Sequence, residues 1–251
     1  MQGKRIFITG GATGIGAATG RHLRKLGARV WATGLDAGAG RALAAELDDA
    51  DFTFHPADLT VEDQVRGAVG AMVAAWGGID GVVNAAGIYP TGKRLEDLSD
   101  AEWTRTLDVN LTAIFRVCRA TLPLIRAAGG GSVVNIASVH AEATVPLVPA
   151  YAASKGAVVA LSRQLALDYA QDLIRVNAVI VGSVATRMTL DGLEAAGGAE
   201  AAGLSFSRRA VGRIADPAEI ATVIAFLLSD AASFVTGSAL QADGAMLARL
   251  L

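Results

Sequence analysis

Cysteine is almost absent from this sequence, since Cys118 is the only one among 251 residues. No disulfide can form within the chain, and a metal site built from several cysteines is excluded. Cys118 lies in an apolar helical pattern, which is typical of a small buried side chain. We therefore expect neither a disulfide framework nor a metal site.

An excess of charge of one sign and long hydrophobic runs are missing as well. The 22 basic and 24 acidic residues are mixed along the chain and leave a formal net charge of -2. A uniformly basic surface that would bind nucleic acid is therefore not expected. No run approaches the ~18 consecutive apolar residues of a membrane span, and the N-terminal apolar run is too short for a signal-peptide core. We expect no nucleic-acid or membrane partner and a cytoplasmic location.

What the sequence does contain is an alternation of short β-branched runs with longer, alanine-rich amphipathic runs. Hydrophobic residues make up 52% of the chain, which is enough to bury a sizeable core. The predicted strands are 5–9, 29–33, 52–55, 81–84, 132–137, 175–181 and 239–241. The predicted helices are 14–26, 37–48, 61–76, 102–127, 150–171 and 217–228.

Strands that are apolar on both faces and separated by helices indicate a parallel sheet covered on both sides. The predicted fold is α/β: a doubly wound, mostly parallel seven-stranded sheet with helices on both faces, similar to the Rossmann fold. We expect residues 1–251 to form a single domain. Residues 183–212, rich in Gly, Ala and Ser, are predicted to form a substrate lid, and a loop without that role is the alternative.

A glycine-rich turn, Thr9 to Gly16, joins the first predicted strand to the first predicted helix. Gly10 can adopt a conformation closed to other residues, and Gly14 lets the backbone approach a diphosphate closely. Gly16 allows the helix to pack tightly on the strand. The helix N-terminus offers free N–H groups and a partial positive charge to phosphates. The turn therefore predicts a dinucleotide site.

Further motifs follow this G-x-x-x-G-x-G turn in order along nearly the whole chain. They are Asn84-Ala85-Ala86-Gly87, Asp108-Val109-Asn110, Ser138, Tyr151-Ala152-Ala153-Ser154-Lys155, Arg175-Val176-Asn177-Ala178 and Val235-Thr236-Gly237. With these motifs the sequence resembles the short-chain dehydrogenase/reductase family. The resemblance implies an oxidoreductase that transfers a hydride between a nicotinamide cofactor and a secondary alcohol or ketone, with Tyr151 as general acid and base.

The resemblance also implies which residues contact the cofactor. They are Gly10, Thr13, Gly14, Ile15, Gly16, Gly34, Leu35, Asp36, Asp58, Leu59, Asn84, Ala85, Ala86, Gly87, Val109, Tyr151, Lys155, Gly182, Val184 and Thr186. In the family a proline commonly precedes the glycine that corresponds to Gly182, and here Val181 stands in its place.

NAD is favoured over NADP by the end of the second strand. The family position that is acidic in NAD enzymes is Gly34 here, but no basic residue lies between Val30 and Gly40. Thr13 stands where NADP enzymes often carry a basic residue. A 2′-phosphate would lack a charged partner. Asp36 could either reach the ribose or begin the next helix as its N-cap.

The catalytic residues implied by the resemblance are Asn110, Ser138, Tyr151 and Lys155. Tyr151 and Lys155 are four residues apart on a predicted helix, so both side chains leave the same face. A nearby ammonium group, together with the positive charge of an oxidised nicotinamide, lowers the pKa of a phenol, which lets it exchange protons with a substrate oxygen. Ser138 can hydrogen-bond that oxygen. Asn110 is implied to support a helix distortion and a water that relays protons to Lys155.

Two aromatic residues, Tyr89 and His140, follow these motifs and could line the substrate pocket or be ordinary loop residues. An NADP-dependent reductase of 3-oxoacyl thioesters is an alternative function, and a non-catalytic dinucleotide-binding regulator is a weaker one. Family members are commonly tetramers that pair the helices corresponding to 102–127 and 150–171. We therefore expect a small-molecule substrate and a homotetramer.

Overall fold

The computed structural model describes residues 1–195, 197–198 and 212–248. Its strands are β1 (Arg5–Thr9), β2 (Arg29–Gly34), β3 (Phe52–Pro56), β4 (Gly81–Asn84), β5 (Gly131–Ile136), β6 (Ile174–Val181) and β7 (Ala239–Ala242). Within those residues they form one sheet in the order β3-β2-β1-β4-β5-β6-β7, and every neighbouring pair is parallel. The predicted seven-stranded, doubly wound fold is confirmed, with each strand within one residue of its expected bounds.

Helices cover the sheet on both sides. They are α1 (Gly14–Lys25), α2 (Ala37–Leu47), α3 (Glu62–Trp76), α4 (Asp100–Leu107), α5 (Ala113–Ala127), α6 (Pro149–Asp168), α7 (Arg187–Ala195) and α8 (Pro217–Leu228). The helix predicted over 102–127 is interrupted by a π-helical segment, Asp108–Thr112. The helix predicted over 150–171 ends early, since a 3-10 turn forms at Ala170–Asp172. α7 lies within 183–212, where the sequence pattern predicts no regular element.

Alternate strand residues supply two separate hydrophobic layers. Phe7 and Val82 pack beneath α3, α5 and α6, whereas Ile6, Ile8 and Val83 pack beneath α1, α2 and α8. All five side chains are at most 1% exposed. This two-sided burial explains the nearly continuous apolar strands, because successive residues of a strand point to opposite faces. Each such side chain contributes roughly 1.5–3 kcal/mol through burial.

The strand order fixes where a ligand can bind. From β1 the chain builds outward to β2 and β3, and β4 then returns to the other side of β1. The carboxyl ends of β1 and β4 therefore diverge into a crevice at the point where the order reverses. In the part of the chain that the structure describes, no helix has the length and apolar character to cross a membrane.

Candidate active site

The turn between β1 and α1 brings two strand ends unusually close together. Gly10 has a φ of +63°, and a Cβ built on it would lie 2.8 Å from the backbone N and Cα of Ala86. Gly14 has a φ of +55°. A side chain at Gly16 would collide with the carbonyl group of Gly10. Glycine is required at these positions, as the motif predicts, because Gly10 and Gly14 have a positive φ and a Cβ on Gly10 or Gly16 would meet backbone atoms.

The N-terminus of α1 supplies the positive end of the cleft. Thr13 is the N-cap, its side chain makes no capping hydrogen bond, and the first turn contains no acidic residue. Thr13, Gly14 and Ile15 line the cleft, so the partial positive charge of the helix end is available there. These features fit the diphosphate of a nicotinamide dinucleotide.

Many of the predicted residues meet in this one cleft at the carboxyl ends of β1, β4, β5 and β6. They are Gly10, Thr13, Gly14, Ile15, Ala85, Ala86, Gly87, Ser138, Tyr151, Lys155, Gly182, Val184 and Thr186. Sequence reasoning missed several further lining residues: Ile88, Ile136, Ala137, Val181, Met188 and Thr189. Three of them adjoin a predicted site residue and Ile136 lies two positions before Ser138, which was the available signal, whereas Met188 and Thr189 belong to α7 and carry no motif.

The segment after β6 forms the opposite side of the cleft. A Cβ on Gly182 would lie 2.9 Å from Cα of Asp243, so this position also requires a small residue. Val184 forms a β-bridge with Ala215. Thr186 lies close to the glycine turn, because its Cγ2 atom is 3.2 Å from the place where a Cβ of Gly14 would be. Arg187 follows at the rim, and its Nε atom is 3.3 Å from Asp191.

Three predicted cofactor contacts, Gly34, Leu35 and Asp36, lie at the end of β2 and just after it. Gly34 is buried against the glycine turn, where a Cβ would lie 3.7 Å from Cα of Gly10, and Leu35 is 64% exposed. The Asp36 carboxylate accepts a hydrogen bond of 2.9 Å from the backbone N–H of Ala39 and caps α2. Of the two roles that the sequence allows for Asp36, the structure shows the N-cap. None of the three lines the cleft described above.

Two more predicted cofactor contacts, Asp58 and Leu59 after β3, are also absent from that cleft lining. The Asp58 carboxylate accepts hydrogen bonds from Thr60, at 2.9 Å from the backbone N–H and 2.7 Å from the hydroxyl group. These hydrogen bonds lower the pKa of Asp58. Leu59 is 7% exposed and belongs to the core.

Asn84 was predicted beside the cofactor, but its side chain turns into the core. Its amide nitrogen donates to Oδ1 of Asn135 at 2.8 Å, and Asn84 is 1% exposed. The two residues are partners in the β4–β5 register, two positions after the buried Val82 and Val133. That spacing was the signal for an inward side chain. The backbone of Ala85 and the next residue is instead held by the hydroxyl group of Thr9.

Asn110 lies in the π-helical segment, which is the helix distortion that the family resemblance implies. Its Oδ1 accepts from the N–H of Ile88 at 2.8 Å, and its Nδ2 donates to the Ile88 carbonyl at 3.0 Å and to Ser154 Oγ at 3.1 Å. A Cβ on Gly87 would lie 3.3 Å from Asn110 Oδ1 and 3.7 Å from Lys155 Nζ. The neighbouring Val109 is partly buried and does not line the cleft.

Tyr151 and Lys155 lie one turn apart on α6 and both line the cleft. Nζ of Lys155 donates to the carbonyl group of Ile136 at 2.8 Å and is 5.7 Å from the centre of the Tyr151 ring. Ser138 follows β5, accepts from the N–H of His140 at 3.3 Å, and lies close enough to the Tyr151 phenol to lower its pKa. A serine and a phenol therefore converge on the same point of the cleft.

Burial is the largest influence on the pKa values of Tyr151 and Lys155. Burial raises the pKa of Tyr151 to about 12, and the hydrogen bond from Ser138 opposes that shift. Burial also lowers the pKa of Lys155 to about 8. The sequence argument counts the ammonium group together with an oxidised nicotinamide as lowering the phenol pKa. In the protein without a bound nicotinamide, the desolvation of Tyr151 is the larger effect.

Tyr89 and His140 pack directly on Tyr151. The ring of Tyr89 is 4.6 Å from that of Tyr151 at 82°, and the ring of His140 is 5.3 Å away at 80°. Tyr89 and His140 are 5.6 Å apart. Both residues that the sequence offered as pocket or loop residues thus pack on the Tyr151 ring, beside the cleft and not among the residues that line it.

Comparison with known proteins gives a consistent result. A family model described as Enoyl-(Acyl carrier protein) reductase matches residues 10–246. A 2,5-dichloro-2,5-cyclohexadiene-1,4-diol dehydrogenase from Sphingobium indicum is 38% identical over 97% of both chains. A 3-alpha-(or 20-beta)-hydroxysteroid dehydrogenase from Mycobacterium bovis is 37% identical over 100% of this chain and 92% of its own. The solved structure of levodione reductase has 32% identity and a TM-score of 0.95, covering 100% of both chains.

The chain belongs to the short-chain dehydrogenase/reductase family. It is an oxidoreductase that acts on CH–OH groups and uses a nicotinamide cofactor, so the predictions of family, fold and enzyme class are confirmed. The two relatives are named as dehydrogenases of hydroxyl-bearing compounds. They give no better support to the alternatives of a thioester reductase or a non-catalytic regulator.

Proposed function

We propose that this enzyme oxidises a secondary alcohol to a ketone, or reduces the ketone, with Tyr151 as the proton-transfer group. The observation that carries the proposal is the convergence of Tyr151, Ser138 and Lys155 in the cleft that also contains the Gly10–Gly16 turn. A proton-transfer group and a diphosphate cradle in one cleft are what hydride transfer to or from an alcohol carbon requires.

In this mechanism the substrate oxygen lies between the hydroxyl groups of Ser138 and Tyr151. Ser138 orients that oxygen and stabilises developing charge on it. Because the pKa of Tyr151 is raised to about 12, the phenol is protonated at neutral pH and acts as the acid in ketone reduction. When bound, the nicotinamide ring accepts or donates the hydride and, in its oxidised form, adds a positive charge that favours the phenolate needed for oxidation.

Lys155 and Asn110 act as positioning residues. The hydrogen bond from Lys155 Nζ to the Ile136 carbonyl holds the amine close to the phenol ring. Asn110 fixes the backbone of Ile88 at both its N–H and its carbonyl group. This clamp keeps the segment after β4 at the cleft. A proton relay through a water at Asn110, as the family resemblance implies, remains part of the proposal.

The proposal is tested by turnover of secondary alcohols with a nicotinamide cofactor. We expect ketone and reduced cofactor to form in equal amounts, and Ser138→Ala to lower kcat by roughly 10²-fold or more. Ser233→Ala, at an exposed position outside the cleft, is the matched control. Unchanged kcat in Ser138→Ala would contradict the role given to this hydroxyl group.

We also propose that NAD is preferred over NADP. The support is the absence of any basic residue between Val30 and Gly40, together with the carboxylate of Asp36 at the start of α2. A 2′-phosphate near this carboxylate would be repelled and unpaired. Titration with NADH and NADPH, followed by fluorescence, tests the preference. Tighter binding of NADPH by about tenfold, or 1.4 kcal/mol, would overturn it.

A substrate lid over 183–212, a single domain over 1–251, a cytoplasmic location and a homotetramer also remain proposals. For the lid, Thr186–Thr189 line the cleft, whereas residues 196 and 199–211 lie outside the described part of the chain. For the tetramer, the paired helices carry apolar side chains in solvent, since Phe115 is 48% and Leu167 is 76% exposed. Sedimentation of Phe115→Glu against the wild type tests it, and an unchanged mass would remove this face from the interface.

A further inference from the structure

Three aromatic rings meet where the proposed mechanism needs only one. The rings of Tyr89 and His140 both contact Tyr151 edge to face, and they contact each other at 5.6 Å. Such contacts stabilise the arrangement beyond ordinary burial and favour one geometry of the rings. Tyr89 and His140 come from two loops, the one after β4 and the one after β5, that lie 51 positions apart in the sequence. We call these two residues the aromatic wall.

Hydrogen bonds with other residues of the site hold the aromatic wall in place. The Asn110 amide binds both polar backbone groups of Ile88, the residue directly before Tyr89. Ser138 accepts from the N–H of His140, and Nδ1 of that ring is 2.9 Å from the hydroxyl group of Thr144. A wall fixed in this way can exclude or accept a substrate without first reorganising.

The same two loops are also joined to each other. The N–H of Gly92 donates to the carbonyl group of Leu147 at 3.0 Å, and Leu147 has a φ of +68°. A non-glycine residue at such a φ is strained and persists only where surrounding contacts hold it. The wall is therefore supported by side chains beneath it and by a backbone hydrogen bond between its two loops.

The wall is uncharged at neutral pH. Burial lowers the pKa of His140 and raises that of Tyr89, so both rings are neutral. In the described cleft lining the charged side chains are those of Lys155 and Arg187, and Arg187 faces Asp191. Glu142, near the wall, accepts from Gln241. An anionic substrate group would meet no dedicated cation among these residues.

We propose that Tyr89 and His140 select uncharged substrates whose reacting carbon belongs to a ring. This rests on the proposed function and specifies its substrate class. A rigid ring loses less conformational freedom on binding than an open chain does, and its C–H groups pack against flat aromatic surfaces. The named relatives that act on ring compounds, a cyclohexadiene-diol dehydrogenase and a hydroxysteroid dehydrogenase, are consistent with this class.

The test compares cyclohexanol with 3-hexanol, an open-chain secondary alcohol of equal carbon number. We expect the wild-type enzyme to favour cyclohexanol in kcat/KM. Tyr89→Leu and His140→Leu should each reduce this preference by roughly three- to tenfold, mainly through KM for the ring substrate. A carboxylate-bearing ring, 4-hydroxycyclohexanecarboxylate, should be oxidised much more slowly than cyclohexanol.

Ring-preserving variants separate selection from a general structural role. Tyr89→Phe and His140→Phe should retain the cyclohexanol preference within about twofold, because the aromatic surface is kept. Tyr169→Leu is the matched control, since this tyrosine ends α6 and its ring contacts Arg126 instead of the cleft. NADH binding, followed by fluorescence, should be unchanged in every variant.

The outcomes also distinguish this inference from the proposed function. If the wild-type enzyme oxidises neither alcohol with NAD or NADP, the proposed function is contradicted, and the substrate class that rests on it is overturned with it. If it oxidises both without ring preference, or if the leucine variants keep the preference, only the role of the aromatic wall is overturned. An equal loss in the phenylalanine and leucine variants would also overturn it.

Discussion

The two ends of the cleft are built in opposite ways. The phosphate end, defined by Gly10, Thr13, Gly14 and Ala86, consists of backbone and a helix N-terminus, with side chains kept out by sterics. The substrate end, defined by Tyr89, Ser138, His140 and Tyr151, consists of side chains from separate segments that hold one another. In the proposed function, a ligand common to many enzymes would thus be bound by backbone, whereas a specific substrate would meet side chains.

The largest contrast is expected from Lys155→Met, which should affect activity and stability in opposite directions. Turnover should fall by roughly 10³-fold, because the group beside the Tyr151 phenol is lost. The free energy of unfolding at pH 7 should rise by roughly 1–3 kcal/mol, because an amine that burial disfavours in its charged form is removed.

The stability gained in Lys155→Met should depend on pH, because folding lowers the pKa of Lys155. The pKa of Lys155 falls from 10.5 to about 8 on folding, so the cost of its charge is complete below about pH 8. As the pH rises from 8 towards 10.5 the unfolded chain holds the proton and the folded chain does not, so the wild type becomes relatively more stable. Denaturant titrations of both proteins at pH 7 and pH 10 measure this. A gain that grows with pH would contradict the account.

At the phosphate end, Gly10→Ala should weaken cofactor binding with little direct effect on the proton-transfer groups. A methyl group there meets the backbone of Ala86, and the φ of +63° is strained for alanine. We expect NADH affinity to fall by roughly 10²-fold and stability by about 1–3 kcal/mol. Gly70→Ala is the control, since a Cβ there has no neighbour within 4 Å and α3 should become slightly more stable. Equal NADH affinities in the two variants would count against the phosphate cradle.

The rate of alcohol oxidation should depend on pH through the protonation of Tyr151, and the rate of ketone reduction should depend on it far less. The Tyr151 pKa of about 12 leaves the phenol protonated, so alcohol oxidation, which needs the phenolate, should accelerate between pH 7 and pH 9. The increase can approach about tenfold per pH unit where a single base limits the rate. Ketone reduction should change far less over this range. Measurement of both rates at saturating cofactor checks this, and an oxidation rate that falls with pH would exclude Tyr151 as the base.

The smallest effect is expected from Leu35→Arg, which sharpens the assignment of the cofactor. Leu35 is 64% exposed at the end of β2, so an arginine can be accommodated without repacking the core. A guanidinium group there could pair with a 2′-phosphate and should shift the NADPH-to-NADH affinity ratio upward by roughly three- to tenfold. Gly34→Asp should shift the ratio the other way. No change in either variant would mean that the ribose binds elsewhere.

The sequence predicted the geometry of the glycine turn at the proposed phosphate end because the requirements of such a turn are local. A glycine turn between a strand and a helix has one geometry, and the strands around it alternate in a regular way. The Tyr151–Lys155 spacing on a helix likewise fixes a shared face. For the same reason every strand was predicted to within one residue of its bounds.

The remaining features depend on contacts between segments distant in the sequence. The inward turn of Asn84 depends on its register with Asn135 across two strands. The π-helical break at Asn110 occurs where this side chain accepts a hydrogen bond from the loop at Ile88, and propensity along one helix does not show it. The pKa of Tyr151 depends on how completely the fold buries it, which the chemistry of its neighbours alone does not reveal.

Whether cofactor binding and proton transfer depend on different groups can be measured directly in one variant, Tyr151→Phe. This change removes only the hydroxyl group and keeps the ring that Tyr89 and His140 contact. Cofactor affinity and alcohol turnover should be determined on the same preparation. We predict that kcat falls by roughly 10³-fold or more while NADH affinity stays within about threefold of the wild type. Turnover within about tenfold of the wild type would contradict the central claim that this phenol moves the proton.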